Sequence, residues 1–159
     1  MCRQEAKTKY SFVEKVMNTL QIENKKSRLE IDLNKAAVIH MQGNGRDLCE
    51  GNTYPLFVVS IIEENYENKK ISATEFVFQN MENDGGRYVL NYSYHGKYIV
   101  SAEIGGDWET DEFRFRCRVK NNTNALIEWV EYPGLSWKDD LDGSRNSQML
   151  WLFNEGALV

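Results

Sequence analysis

The chain has 159 residues, of which 42% are apolar and 27% are charged, a balance that is typical of one globular domain. Its formal net charge of −5 disfavours general binding to nucleic acid, because phosphate repels a negative protein. No stretch reaches the roughly 18 apolar residues that a membrane-spanning helix needs, and the charged first residues lack the apolar core of a signal peptide. We therefore expect a cytoplasmic protein with a single domain over residues 1–159.

One helix is predicted near the N-terminus, over about residues 11–21. Ser11 and Glu14 have the spacing of a capping box, in which each side chain satisfies a backbone amide of the first turn. Apolar residues then recur with a helical period at Phe12, Val13, Val16, Met17 and Leu20. A helix of this length is not stable alone, so we expect it to lie against the rest of the protein. The polar residues 21–28 are predicted to form a loop.

Residues from about 28 to 153 are predicted to form an antiparallel β region. The first hairpin joins Leu29–Leu33 to Ala36–Met41, because apolar and polar residues alternate around a short polar turn. The run Leu56–Ile62 is apolar apart from Ser60, which indicates a central strand that is covered on both faces. Met81–Gly86 is rich in turn-forming residues and is predicted to be a turn.

The clearest hairpin pairs Arg87–Tyr94 with Tyr98–Ile104. A loop of three residues, His95-Gly96-Lys97, sets the tyrosine-rich face opposite apolar side chains, whereas a two-residue loop would set it opposite polar ones. The pairs predicted by the longer loop are Tyr88 with Ile104, Leu90 with Ala102, Tyr92 with Val100 and Tyr94 with Tyr98.

The segment Glu112–Lys120 is the strand around which we expect the others to pair. Its residues alternate strictly between apolar and cationic in the order Phe113, Arg114, Phe115, Arg116, Cys117, Arg118, Val119 and Lys120. Because successive strand side chains point to opposite faces, one face is apolar and the other is cationic. The same loop argument predicts a hairpin with the next segment, which places Arg116 opposite Glu128 and Trp129 against Phe115 in the core.

Together these elements predict a mainly β fold of the α+β class. We expect an antiparallel β-sandwich or a barrel-like bent sheet of about eight or nine strands, with one N-terminal helix. Periodicity does not separate the sandwich from the barrel, because it does not encode the order of strands in a sheet.

Two groups of residues are candidates for binding an anion or a small ligand. Arg114, Arg116 and Arg118 would recognise an anionic partner, which would also relieve the repulsion between neighbouring cations. The alternative is an ordinary solvated face, balanced by acidic residues on adjacent strands. Trp108 follows two glycines and an aspartate, and with the tyrosine face it would line a ligand cavity inside a small barrel.

An acidic segment near the C-terminus is a candidate for binding a protein partner. Asp139, Asp140 and Asp142 would steer a basic partner, and Trp137 beside them would serve as an aromatic anchor. The spacing resembles a calcium-binding loop only superficially, because aligning Gly143 with the invariant glycine puts Lys138 at the first ligand position.

The sequence contains no recognisable catalytic or metal-binding motif. The two histidines, His40 and His95, are far apart, and the three cysteines have no metal-ligand spacing, so we predict neither a metal nor a cofactor. An enzyme would require one of these histidines to meet a carboxylate and a nucleophile, of which Cys49 is the nearest to His40 in sequence.

We therefore expect a non-enzymatic binding or inhibitory protein. One specific form is an immunity-like or antitoxin-like protein that neutralises a basic partner, because an acidic loop gives fast, electrostatically steered association. A small-molecule-binding β-barrel is the alternative, and an enzyme of unknown type is the third hypothesis. Nucleic acid and membrane are not expected as partners.

Overall fold

The computed structural model describes residues 18–49, 54–107 and 112–136. Almost all of the regular structure in these residues is β-strand, with one short 3-10 helix at Ala73–Glu75. The strands are β1 Thr19–Glu23, β2 Ser27–Asp32, β3 Ala37–Gly43, β4 Arg46–Asp47, β5 Val58–Ile62, β6 Asn68–Ser72, β7 Val77–Asp84, β8 Arg87–Tyr94, β9 Tyr98–Asp107, β10 Glu112–Asn121 and β11 Leu126–Glu131.

The described strands form three antiparallel sheets, with the orders β1-β2-β3-β4, β10-β9-β8-β7 and β11-β5-β6. All three sheets contribute side chains to one hydrophobic core, to which Ile31, Val59 and Leu90 belong. The mainly β prediction is confirmed. The closed-barrel alternative is wrong for the described strands, since each sheet ends in edge strands.

The predicted N-terminal helix is wrong where it overlaps the described residues. Residues 19–21 belong to β1, which pairs with β2 so that Leu20 lies opposite Ile31. The predicted loop over residues 21–28 contains the end of β1, and the turn between the strands is confined to residues 24–26. Leu20 and Ile22 are buried on one face of β1, so pairing with β2 outweighs the helical period. The rest of the predicted helix, residues 11–17, lies outside the described residues.

The predicted register of the tyrosine-rich hairpin is confirmed, and so is the central position of the strand predicted at Leu56–Ile62, although that strand spans only Val58–Ile62. β8 and β9 pair in the predicted register, with Tyr88 opposite Ile104 and Tyr92 opposite Val100. His95 and Gly96 have positive φ values of 50° and 70°, which close the three-residue turn. β5 lies between β11 and β6, as expected for a central strand. The predicted turn at residues 81–86 is mostly strand, because β7 continues to Asp84.

The predicted hairpin between β10 and the following segment is wrong. β10 pairs with β9, which sets Arg116 opposite Glu103, and β11 pairs instead with β5 of another sheet. Glu128 accepts hydrogen bonds from Ser60 Oγ (2.9 Å) and Asn68 Nδ2 (2.8 Å).

Trp129 is likewise not the core residue that the sequence predicted. It is 37% exposed, and Lys70 Nζ lies 5.3 Å from the centroid of its ring. β11 pairs with β5, which is distant in sequence, and local spacing does not reveal such a partner.

Two buried tyrosine hydroxyls provide a matched test of this packing. Tyr132 Oη donates a hydrogen bond to the Glu103 carbonyl oxygen at 2.8 Å, whereas Tyr92 Oη is buried without a hydrogen-bond partner among the described residues. Burial raises the pKa of both hydroxyls, so both are protonated at neutral pH. An unsatisfied buried hydroxyl destabilises the fold, while a satisfied one contributes to its stability.

We therefore expect Tyr92→Phe to raise the free energy of unfolding by about 1 kcal/mol and Tyr132→Phe to lower it by about 1 kcal/mol. Urea unfolding followed by circular dichroism measures both changes. Equal losses in the two variants would contradict the difference in hydrogen bonding.

A search of the described residues for a helix with the length and hydropathy of a membrane span found none.

Candidate functional site

The candidate site is the cationic row of β10, which consists of Arg114, Arg116, Arg118 and Lys120. These four residues are exposed, while the residues between them are partly buried against the core. The inner face is held by contacts such as that of the Phe115 ring with Tyr132, at 6.0 Å between centroids. Because the inner face anchors the strand, the four cations are presented together on the outer face of the sheet.

β9, the strand beside β10, brings few carboxylates to the cationic row. Across β9 the cations lie opposite Gly105, Glu103, Ser101 and Ile99. Of these four residues, Gly105 and Ile99 have no polar side chain. The Ser101 hydroxyl donates a hydrogen bond to Asn91 Oδ1 at 2.7 Å.

An ion pair is present at the start of the cationic row. Arg114 Nη2 lies 3.5 Å from Glu112 Oε2, in a pair that is largely exposed. Glu103, which lies opposite Arg116, instead has its Oε1 3.8 Å from Arg87 Nε on β8. Among the described residues, no carboxylate lies within ion-pairing distance of Arg116, Arg118 or Lys120. The predicted partner Glu128 is on β11, in a different sheet.

Among the described strands β10 is also an edge strand, since β9 is the one neighbour that it has in its sheet. An edge strand has backbone N–H and C=O groups along one side that are free to pair with another strand. Asn24 Nδ2 donates to the Glu112 carbonyl oxygen at 3.0 Å and so covers the beginning of this edge. The part of the edge beside Arg116, Arg118 and Lys120 combines strand-pairing capacity with positive charge.

The cationic groups of this row can bind anions. Guanidinium groups recognise carboxylates through charge-assisted hydrogen bonds, which are stronger than neutral ones. Cys117 lies on the inner face of the same strand, where burial raises the pKa of its thiol to about 11. The thiol is therefore protonated at neutral pH and is a small packing residue, as the sequence predicted.

A second candidate is an open cleft of about 440 Å³ beside the β8–β9 turn. It is lined by groups of both charges, with Glu63 and Glu64 facing Lys69 and Lys97, and by the apolar side chains of Ile61 and Ile71. The predicted ligand cavity behind the tyrosine face does not exist among the described residues, because Tyr88 and Tyr92 are buried in the core.

The tyrosines at the end of this strand pair, Tyr94 and Tyr98, do line the cleft. Lys69 Nζ lies 3.2 Å from Tyr94 Oη and 5.4 Å from the centroid of its ring. The hydrogen bond to Tyr94 raises the pKa of Lys69, so the amine remains a cation at neutral pH. The pairing of strands brings Lys69 beside Tyr94, which is 25 positions away in the chain.

The two histidines occupy different environments. His40 Nδ1 lies 3.2 Å from Asp47 Oδ1, and His95 contacts the ring of Tyr94 in the β8–β9 turn. Cys49, the nearest thiol to His40 in sequence, is only 3% exposed and is out of reach of a substrate in solution. The described residues contain no group of three or more His, Cys, Asp or Glu residues that could hold a metal ion.

The remaining residues predicted to bind a ligand or partner lie outside the described residues. These are Trp108, Trp137, Asp139, Asp140 and Asp142. Their proposed roles stay predictions.

Comparisons of the chain with protein-family models, with curated proteins and with solved structures found no match.

Proposed function

We propose that this protein is a non-enzymatic binding protein whose cationic row receives an extended acidic segment of a protein partner. The observation that carries the proposal is that Arg116, Arg118 and Lys120 are exposed in one row, with no carboxylate within ion-pairing distance among the described residues. Neighbouring cations repel one another, and the carboxylates of a partner relieve this repulsion. The same charges speed the encounter with an acidic partner.

The edge position of β10 supports strand addition as the mode of binding. In this mode an extended segment pairs its backbone with the free side of an edge strand, and alternate side chains determine specificity. A segment added beside β10 would present one set of side chains next to Arg116 and Arg118, and the other set next to Cys117 and Val119. The preferred partner segment therefore alternates acidic and apolar residues.

A short fluorescein-labelled peptide in which Glu and Val alternate tests this proposal. We expect it to bind the full chain in fluorescence anisotropy and to dissociate as the salt concentration rises from about 0.05 to 0.5 M. The double variant Arg116→Glu/Arg118→Glu should weaken binding at least about tenfold, because two attractions become repulsions.

The matched control is Lys25→Glu/Lys35→Glu, which reverses two exposed cations in the β1–β2 and β2–β3 turns of another sheet. Each substitution of a lysine or arginine by glutamate lowers the formal charge by two, so both double variants change the net charge from −5 to −9. The control variant should bind the peptide with the same affinity as the unmodified protein, called the parent below. Equal weakening in both variants would mean that net charge alone acts, and no binding by the parent would refute the proposal.

A second proposal is an inhibitor of a basic protein, in the manner of an immunity or antitoxin protein. It is supported by the net charge of −5 and by the acidic residues Asp139, Asp140 and Asp142 beside Trp137. Capture of partners from the native cell extract, with low-salt and high-salt washes, separates the two proposals. A basic protein lost on triple substitution of these aspartates by alanine supports the inhibitor. An acidic protein lost on Arg116→Glu/Arg118→Glu supports the cationic row.

The open cleft supports a third candidate, the binding of a small molecule. Its mixture of apolar walls and convergent polar groups, including Lys69 and Thr123, is the composition of ligand sites in general. A small molecule that co-purifies with the chain in native mass spectrometry, without a captured protein, would favour this candidate over the other two.

A further inference from the structure

The two edges of the sheet β10-β9-β8-β7 carry opposite charges on the same face. β10 presents the cationic row, and β7 at the opposite edge presents Glu82 and Asp84. Glu82 lies opposite Val89 and Asp84 opposite Arg87, so both carboxylates belong to the outer face, as the row does. Asn91 Nδ2 donates to Glu82 Oε1 at 3.1 Å and leaves the second carboxylate oxygen available. Each edge is therefore electrostatically complementary to the other.

β7 also exposes apolar side chains that a neighbouring strand would cover. Met81 lies on the inner face opposite the buried Leu90 and is 37% exposed, whereas Val77, which is 64% exposed, lies opposite Ser93 on the outer face. The corresponding inner residues of β10, such as Val119, are apolar and only partly buried. A strand added at either edge would bring apolar side chains together on the inner face and opposite charges together on the outer face.

The direction of the strands allows the two edges to meet between copies. The four strands of this sheet alternate in direction, so β7 and β10 run in opposite directions. When copies repeat in the same orientation, β7 of one copy lies antiparallel to β10 of the next, and the outer faces coincide. A register that sets Glu82 opposite Arg118 also sets Asp84 opposite Arg116 and Met81 opposite Val119.

We propose that the acidic strand received by β10 is β7 of a second copy of this chain. This inference rests on the proposed function, because both use the cationic row. Pairing of β10 with β10, or of β7 with β7, would oppose like charges, so charge favours the head-to-tail contact over symmetric ones. A head-to-tail contact leaves a free edge at each end, and association continues beyond a dimer.

Sedimentation velocity of the full chain tests the inference. One strand pair makes a small interface, so we expect the average mass to rise above 18.5 kDa only at concentrations of about 10–100 μM or more, and to return to it at high salt. Arg116→Glu/Arg118→Glu and Glu82→Lys/Asp84→Lys should each remain monomeric. An equimolar mixture of the two variants should associate, because each charged edge then meets an opposite edge.

The mixture distinguishes specific edge pairing from damage to the fold, since two misfolded variants would not restore association. The control Lys25→Glu/Lys35→Glu should associate as the unmodified protein does. A parent that stays monomeric but binds the Glu–Val peptide overturns this inference and leaves the proposed function standing. A parent that does neither overturns both. Association that neither charge reversal weakens also overturns the inference.

Discussion

Phe57→Ala is expected to lower the free energy of unfolding by about 3–5 kcal/mol. Phe57 has no solvent-exposed surface, and its ring packs edge-on against Phe76 and Tyr92 at centroid distances of 5.1 and 5.5 Å. Removing the ring loses the transfer free energy of a large apolar group and leaves a cavity at the point where two sheets meet. Because domains are stable by only about 5–15 kcal/mol, this loss is a large part of the total.

The matched control is Trp129→Ala, which removes the side chain that the sequence had assigned to the core. Trp129 is 37% exposed, and its ring contacts the Lys70 amine. We therefore expect Trp129→Ala to lower the free energy of unfolding by only about 1 kcal/mol. Urea denaturation followed by far-ultraviolet circular dichroism reads both variants without relying on the tryptophan signal. A loss in Trp129→Ala as large as in Phe57→Ala would favour the register predicted from the sequence over the observed one.

Gly134→Ala is expected to destabilise the fold by about 3 kcal/mol or more. A Cβ at this position would lie 1.9 Å from the Pro55 carbonyl oxygen and 2.9 Å from Tyr54 Cδ1. The nearest atom belongs to the backbone, so a rotation of a side chain cannot relieve the contact. The Gly134 amide also donates to the Leu56 carbonyl oxygen at 2.7 Å, which holds the two segments together.

Two other glycines complete a graded series for the same measurement. Gly105→Ala places its Cβ in open space and should change stability by less than about 0.5 kcal/mol. Gly106→Ala meets Asn24 Oδ1 at 2.6 Å, a side-chain atom that can move, so its effect should fall between the other two. If Gly105→Ala were as damaging as Gly134→Ala, loss of glycine itself, rather than the contact with Pro55, would explain the result.

The local features of the described strands were largely predictable from sequence. Alternation identified the inner and outer faces of β10, and the parity of the loop after Tyr94 determined the register of β8 against β9. Both features depend on residues that are close together in the chain. For the same reason, the exposed cationic residues of the candidate site were found before the structure was known.

The sequence misled us where the outcome depends on distant segments. The parity argument paired β10 with β11, but β11 pairs with the distant strand β5 and leaves β10 paired with the preceding strand β9. The acidic residues of β7 were assigned to a turn, although Glu82-x-Asp84 has the spacing of a strand face. The contact of Lys69 with Tyr94 joins residues 25 positions apart, and local patterns contain no signal for it.

Alternation alone predicts which side chains share a face, because it follows from the geometry of a single strand. Which strands are neighbours and which lie at an edge depends on tertiary packing, because strand pairing is governed by the total burial of apolar surface across the chain. Tertiary packing therefore also places Arg116, Arg118 and Lys120 on an edge strand of the described sheets, away from Glu128. The cationic face is a property of the sequence, and its availability to a partner is a property of the fold.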